Sequence, residues 1–161
     1  MRRAPIFLAA FGGLLAQSGI APPLAGFIRD GAGALRPVYG MTGNLALGEP
    51  IAQGVVEAIF DGQVGLARTQ DAIYAFDSGG HLFGPVPVEW EAPALPIAAE
   101  GDELVYRRAD GSELRAKVEG EMLAIERMGE AWYGVHQADR RLAVRVLEDR
   151  MEISRLPEAA Q

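Results

Sequence analysis

The sequence predicts an all-β protein: antiparallel sheets of short, hairpin-connected strands, forming a propeller-like or incomplete propeller arrangement, with a β-sandwich or barrel as the alternative. Three observations carry this expectation. Apolar and polar residues alternate with period two in several short runs. Clusters of turn residues (RDGAG, FDGQ, DSGGH, EGDE, ADGS and EGE) recur between the runs and supply the tight backbone that hairpins require. Short strands at such regular spacing are the pattern of sandwiches, barrels and propellers.

The chain of 161 residues begins MRRAPIFLAAFGGLLAQSGIA. Arg2 and Arg3 precede an uncharged, mostly apolar run from Ala4 to Ala16, and small residues follow at Ser18, Gly19 and Ala21. This is the charged, apolar and small-residue succession of a secretory signal peptide over residues 1–21, with cleavage after Ser18 or Ala21. The run is shorter than the roughly 20 residues of a membrane-spanning helix. No membrane span is therefore expected once the signal is removed, and the destination is the periplasm or the extracellular space. Residues 22–161 are read as one all-β domain.

Along that domain the predicted strands are GFIRD, ALRPVYG, NLALG, VVEAIF, VGLART, AIYAFD and HLFGPVPV, then LPIAA, ELVYRR, ELRAKVE, MLAIERM, AWYGVHQ, RLAVRVL and MEISRL. In ELRAKVE, Leu114, Ala116 and Val118 share one face against Glu113, Arg115, Lys117 and Glu119. In RLAVRVL, Leu142, Val144 and Val146 oppose Arg141 and Arg145. Both patterns predict one wet face. AIYAFD is apolar on both faces and should be covered on both. EPIAQGVVEAIF also fits helical spacing through Ile51, Val55 and Ile59, but Gly54 and the β-branched Val55-Val56 favour a strand. GPVPVEWEAPALP, residues 84–96, holds four prolines. Because proline cannot donate to a ladder, this stretch is an extended connection between two groups of strands.

Composition excludes several chemistries. Cysteine is absent, so there is no disulfide framework, thiolate metal site or cysteine nucleophile. The net charge is −7, and an acidic chain repels phosphate backbones, so no nucleic-acid partner is expected. No G-x-S-x-G elbow or calcium-loop pattern occurs, GAG at 31–33 lacks the rest of a dinucleotide fingerprint, and neither cofactor nor metal is expected. Asp77, Ser78 and His81 in DSGGH contain the residue types of a nucleophilic triad, but their sequence fits a hairpin turn better.

Four residues are candidates for contact with a ligand or partner. Trp90 stands between two glutamates in the proline-rich connection, as a partner anchor or a cap on the core. Trp132 and His136 share a strand face across Gly134, as a shallow shelf or a half-buried wall. His81 is the fourth.

A weak internal repeat is present. AIFDG-QVGLARTQ-DAIYAFDSGGHL parallels AIERMG-EAWYGVHQADR-RLAVRVLEDRMEI, and LPIAAEG-DELVYRRADG-SELRAKV is a partial third copy. Units of three or four antiparallel strands are what propeller blades look like. Through GFIRDGAGALRPVYG and WYGVHQADRRLAVRVLEDRMEISRLPE the chain resembles uncharacterised exported bacterial proteins with β-propeller-like repeats. Roughly fourteen strands at four per blade make three to four blades, at or below the lower limit of a closed ring. The expected function is an exported, non-enzymatic binding or assembly module of the cell envelope, with a protein or carbohydrate ligand. Unpaired sheet edges would give it a route to a homo-oligomer. The alternative is a small secreted hydrolase using a histidine and a carboxylate.

Overall fold

The computed structural model describes residues 22–90 and 94–158. The signal-peptide expectation for residues 1–21 lies outside the described residues, as do residues 91–93 of the proline-rich connection. The described residues form β-strands joined by turns and loops, without a helix.

The strands make four antiparallel meanders in chain order. Sheet 1 contains β1 (Leu24–Arg29), β2 (Leu35–Met41) and β3 (Asn44–Leu47). Sheet 2 contains β4 (Glu57–Phe60), β5 (Val64–Arg68), β6 (Ile73–Asp77) and β7 (Leu82–Phe83). Sheet 3 contains β8 (Ile97–Glu100), β9 (Glu103–Arg107) and β10 (Glu113–Lys117). Sheet 4 contains β11 (Met122–Arg127), β12 (Trp132–Gln137), β13 (Arg141–Val146) and β14 (Met151–Arg155). Each strand pairs only with its sequence neighbours within its sheet, as expected of blades built from local hairpins.

Three hydrophobic clusters order the sheets. Phe27 and Leu35 of sheet 1 meet Phe60, Ala67 and Phe76 of sheet 2. The rings of Phe60 and Phe76 both lie edge-on to Phe27, each with centroids 4.9 Å away. Ile28 and Val38, on the other face of sheet 1, meet Ala143 of sheet 4 together with Met128 and Leu156. Tyr133, Val135, Leu142 and Val144, on the far face of sheet 4, meet Ile97 and Leu104 of sheet 3. The spatial order is therefore 2-1-4-3. That is the cyclic order of a four-bladed ring with the join between sheets 2 and 3 left open. Among the described residues, no hydrophobic cluster closes that join.

Sheets 1 and 4 approach backbone to backbone. The Phe27 amide donates to the Met128 carbonyl at 2.9 Å. A Cβ on Gly26 would overlap that carbonyl, and one on Gly129 would stand 2.5 Å from the Ala25 carbonyl. Two glycines, one from each sheet, are what permit the crossing.

Some expectations need correction. HLFGPVPV contributes only Leu82–Phe83 as strand, because Pro85 and Pro87 carry no ladder donor. EPIAQGVVEAIF contributes strand only at Glu57–Phe60. Its first half docks along sheet 1 instead, with Ile51 donating to Leu35 and Val55 to Gly33, both at 2.8 Å. RLAVRVL has no wet face. Ala143 is fully buried because sheet 4 is sandwiched, and the Arg145 guanidinium lies 5.6 Å from the ring centre of Trp132. AIYAFD and ELRAKVE follow their predicted faces.

Candidate functional site

A cleft of about 230 Å³ lies between sheets 2 and 4. β4 supplies one wall through Ala58 and Ile59, and β11 the opposite wall through Ala124 and Ile125. Trp90 and Leu95 enter from the proline-rich connection, and Arg29 from the end of β1. The polar groups of the lining are Glu57, Glu126, Arg127 and His136. The cleft is thus an apolar slot with charged groups gathered around it, the usual composition of a small-ligand site. Its volume is below the roughly 300–1,000 Å³ of drug-sized sites, so any ligand enclosed there is small.

Strand register explains the central polar pair. Glu126 lies directly opposite Gly134, and His136 lies opposite Ala124. Gly134 has no side chain to fill the space across from Glu126. The carboxylate therefore reaches diagonally to His136, two residues along the partner strand. Glu126 Oε1 sits 2.7 Å from His136 Nε2, and both side chains are more than four-fifths buried. Gly134 itself packs on Ile28, where a Cβ would come within 3.0 Å of Cδ1. The pair therefore occupies the face of sheet 4 that looks toward sheet 1.

The remaining charges divide clearly. Glu57 is bridged by Arg68 at 3.2 Å, and the Arg68 guanidinium lies 5.9 Å from the ring centre of Trp90. Arg127 turns toward the next loop, donating to the Gly129 and Glu130 carbonyls at 3.4 and 3.3 Å. Arg29 accepts through its carbonyl from Arg141 Nη1 at 3.3 Å. Its guanidinium has no carboxylate partner among the described residues. The Trp90 indole N–H is buried and likewise without an acceptor.

Of the four sequence candidates, the structure brings Trp90 and His136 together at the cleft. Trp132 shares the strand face of His136 but packs into the cluster between sheets 1 and 4. His81 is exposed on the β6–β7 turn, away from the cleft lining. There its Nδ1 is 3.0 Å from Asp77 Oδ2, and its amide donates to Asp77 Oδ1 at 2.9 Å. Gly80 takes a φ of +81° in that turn. The hydrogen bonds from His81, side chain first and then backbone, hold the Asp77 carboxyl below its ordinary value. The DSGGH segment is thus a turn with a hydrogen-bonded corner, and Ser78 stands exposed at its tip.

Sequence reasoning missed Arg29, Glu57, Glu126 and Arg127. Counting back through the hairpin from AWYGVHQ to MLAIERM would have set Glu126 diagonal to His136. Nothing local announces Arg29, because stacking of the sheets is what brings β1 to the cleft. Among the described residues, no group of three or more histidine or acidic side chains is placed to hold a metal ion, and no helix is long and apolar enough to cross a membrane. The chain matches no family model, no curated protein and no solved structure in comparisons with known proteins.

Proposed function

We propose that the protein is an exported, non-enzymatic binding module of the cell envelope, with its ligand site in the cleft between sheets 2 and 4. The cleft carries this reading: apolar residues of two strands line it, and Arg29, with no carboxylate partner among the described residues, belongs to the same lining. The resemblance to exported proteins with propeller-like repeats supports it, as does the N-terminal charged-apolar-small pattern. The sheet edges fit a partner less well. Edge strand β7 has two residues, and edge strand β10 carries Glu113, Arg115 and Lys117, both devices that discourage strand pairing. The ligand is therefore placed in the cleft and not along an edge.

Thermal-shift screening of the purified domain against small sugars, peptides and organic acids tests this. A ligand that raises Tm in the wild type should lose its effect in Ala124→Trp, which fills the cleft from an exposed wall position. A ligand whose effect is the same in both proteins would place the site elsewhere. Fusion of residues 1–21 to a reporter active only outside the cytoplasm tests export separately.

One observation favours a second reading, a small hydrolase: the Glu126–His136 pair at 2.7 Å beside the cleft. Such a pair can hold a water and accept its proton. No serine or threonine belongs to the cleft lining, so water would be the attacking group. Hydrolysis of a chromogenic ester that disappears in both Glu126→Gln and His136→Ala would support this reading. Equal rates in all three proteins would exclude it.

A further inference from the structure

The binding reading leaves the chemistry of the ligand open, and the balance of donors and acceptors around the cleft narrows it. The two carboxylates of the lining are already engaged, Glu57 by Arg68 and Glu126 by His136. The groups left over are donors. Arg29 is half-buried at the rim with its guanidinium uncompensated among the described residues, and the Trp90 indole N–H is buried without an acceptor. Against the Trp90 ring, the Nε of Arg68 is a further buried donor without a partner among the described residues. The Trp90 and Arg68 nitrogens are closed off from solvent, so Arg29, only partly buried in the lining, is the donor that a ligand in the cleft reaches. A second cation brought into the slot would instead meet Arg29 in a setting of low dielectric.

The rest of the surface is apolar. Ile59, Leu95 and Ile125 all belong to the lining. A ligand that satisfies both halves has an anionic head and a short hydrocarbon or aromatic body. A polyhydroxylated sugar would leave its hydroxyls against these aliphatic walls.

We infer that the cleft takes a small amphipathic carboxylate, its anionic head received by Arg29, its apolar body lying against Ile59, Ile125 and Leu95. This inference rests on the binding reading and goes further by naming the ligand class. Planar guanidinium and carboxylate match in geometry, which makes arginine suited to this head group.

Isothermal titration at neutral pH with octanoate, 1-octanol and octylamine tests it, using wild type, Arg29→Gln, Arg29→Lys and Ala124→Trp, with circular dichroism as the folding check. Octanoate should bind wild type at one site, at least tenfold tighter than octylamine. Arg29→Gln should weaken octanoate about tenfold or more and leave octanol unchanged, since the lost interaction is a hydrogen bond to a charged group. Arg29→Lys should fall between. If octanol and octanoate bind alike in wild type and in Arg29→Gln, or if octylamine binds best, the anion assignment is wrong while the cleft remains a binding site. If no probe binds, or if binding is the same in Ala124→Trp, the binding reading of the cleft falls with it. Should Arg29→Gln fail to fold, the wild-type ranking of the three probes and the Arg29→Lys value still decide the question.

Discussion

Sheets 2 and 3 are the two ends of the same open stack, and their outward faces are finished in opposite ways. On sheet 3 that face is a lattice of charge. Arg115 bridges Glu100, Glu103 and Glu113 at 3.2, 3.1 and 2.8 Å, and Arg107 pairs with Glu113 at 3.1 Å and also with Glu100. On sheet 2 the residues alternating with the buried Phe60, Ala67 and Phe76 include the apolar Ile59, Val64, Leu66, Ile73, Ala75 and Phe83, with charge confined to the Glu57–Arg68 pair and Asp77. Val64 is 55% exposed and Phe83 is 53% exposed. The proline-rich connection runs across this face, tied down where the Val86 amide donates to the Ile73 carbonyl at 2.8 Å and where Trp90 lies over Arg68. End units of a stacked array need a polar outer face to remain soluble. Sheet 3 has its own, whereas sheet 2 uses a strap. That strap brings Trp90 into the lining of the cleft between sheets 2 and 4.

The inward faces of the two ends are alike, so breaking either should cost a similar, large amount. Phe76→Ala removes one of three interlocked phenyl rings and should lower unfolding free energy by about 3–5 kcal/mol in urea titration. Leu104→Ala, on the inward face of sheet 3, should cost about 2–5 kcal/mol. A loss below about 1 kcal/mol in either would mean that its sheet is not packed as an end of the stack.

A control lies in sheet 1, which belongs to neither end. Asp30 accepts from the Ala32 and Ala34 amides at 2.9 Å and from Arg36 Nε at 2.8 Å. Burial pushes its carboxyl up. The Arg36 hydrogen bond, the two amides and the Arg36 charge outweigh burial and hold it below the ordinary 3.8. A depressed carboxyl stabilises the fold above its unfolded pKa, and that contribution is lost as pH falls through the folded one. Asp30→Asn should therefore cost about 2 kcal/mol at pH 7. The gap from wild type should close as pH drops below about 4. A gap independent of pH would remove the charge from the explanation.

The outward faces should then separate. Trp90→Ala strips the strap from sheet 2 and should cost about 1–2 kcal/mol. It should also increase the fluorescence of an added apolar dye as the face opens. Arg115→Gln, at the centre of the exposed lattice, should shift the unfolding midpoint only slightly at low salt. In 1 M salt, where screening acts within about 3 Å, it should shift it not at all. A dye response to Arg115→Gln as large as that to Trp90→Ala would erase the contrast between the ends.

Much of this was legible in the chain because meanders are local. Alternation in ELRAKVE and the turn at DSGGH each depend on a few adjacent residues, and the three internal repeat units correspond to sheets 2, 4 and 3. What escaped depends on contacts across sheets. The covering of RLAVRVL on both faces comes from sheet 1, far earlier in the chain. The cleft needs Arg29, Ile59, Trp90 and Glu126 from four separate segments, and no spacing rule connects them. Trp90 stood out because a tryptophan among prolines is conspicuous; Arg29 did not, because one arginine at a strand end is ordinary.

Backbone hydrogen exchange measured strand by strand tests the open stack most directly, because interior layers exchange through larger openings than end layers. Amides of β1, β2, β12 and β13 should be the slowest, with those of sheets 2 and 3 clearly faster. Equal protection in all four sheets would mean that sheets 2 and 3 are covered as fully as sheets 1 and 4, and the stack would not be open.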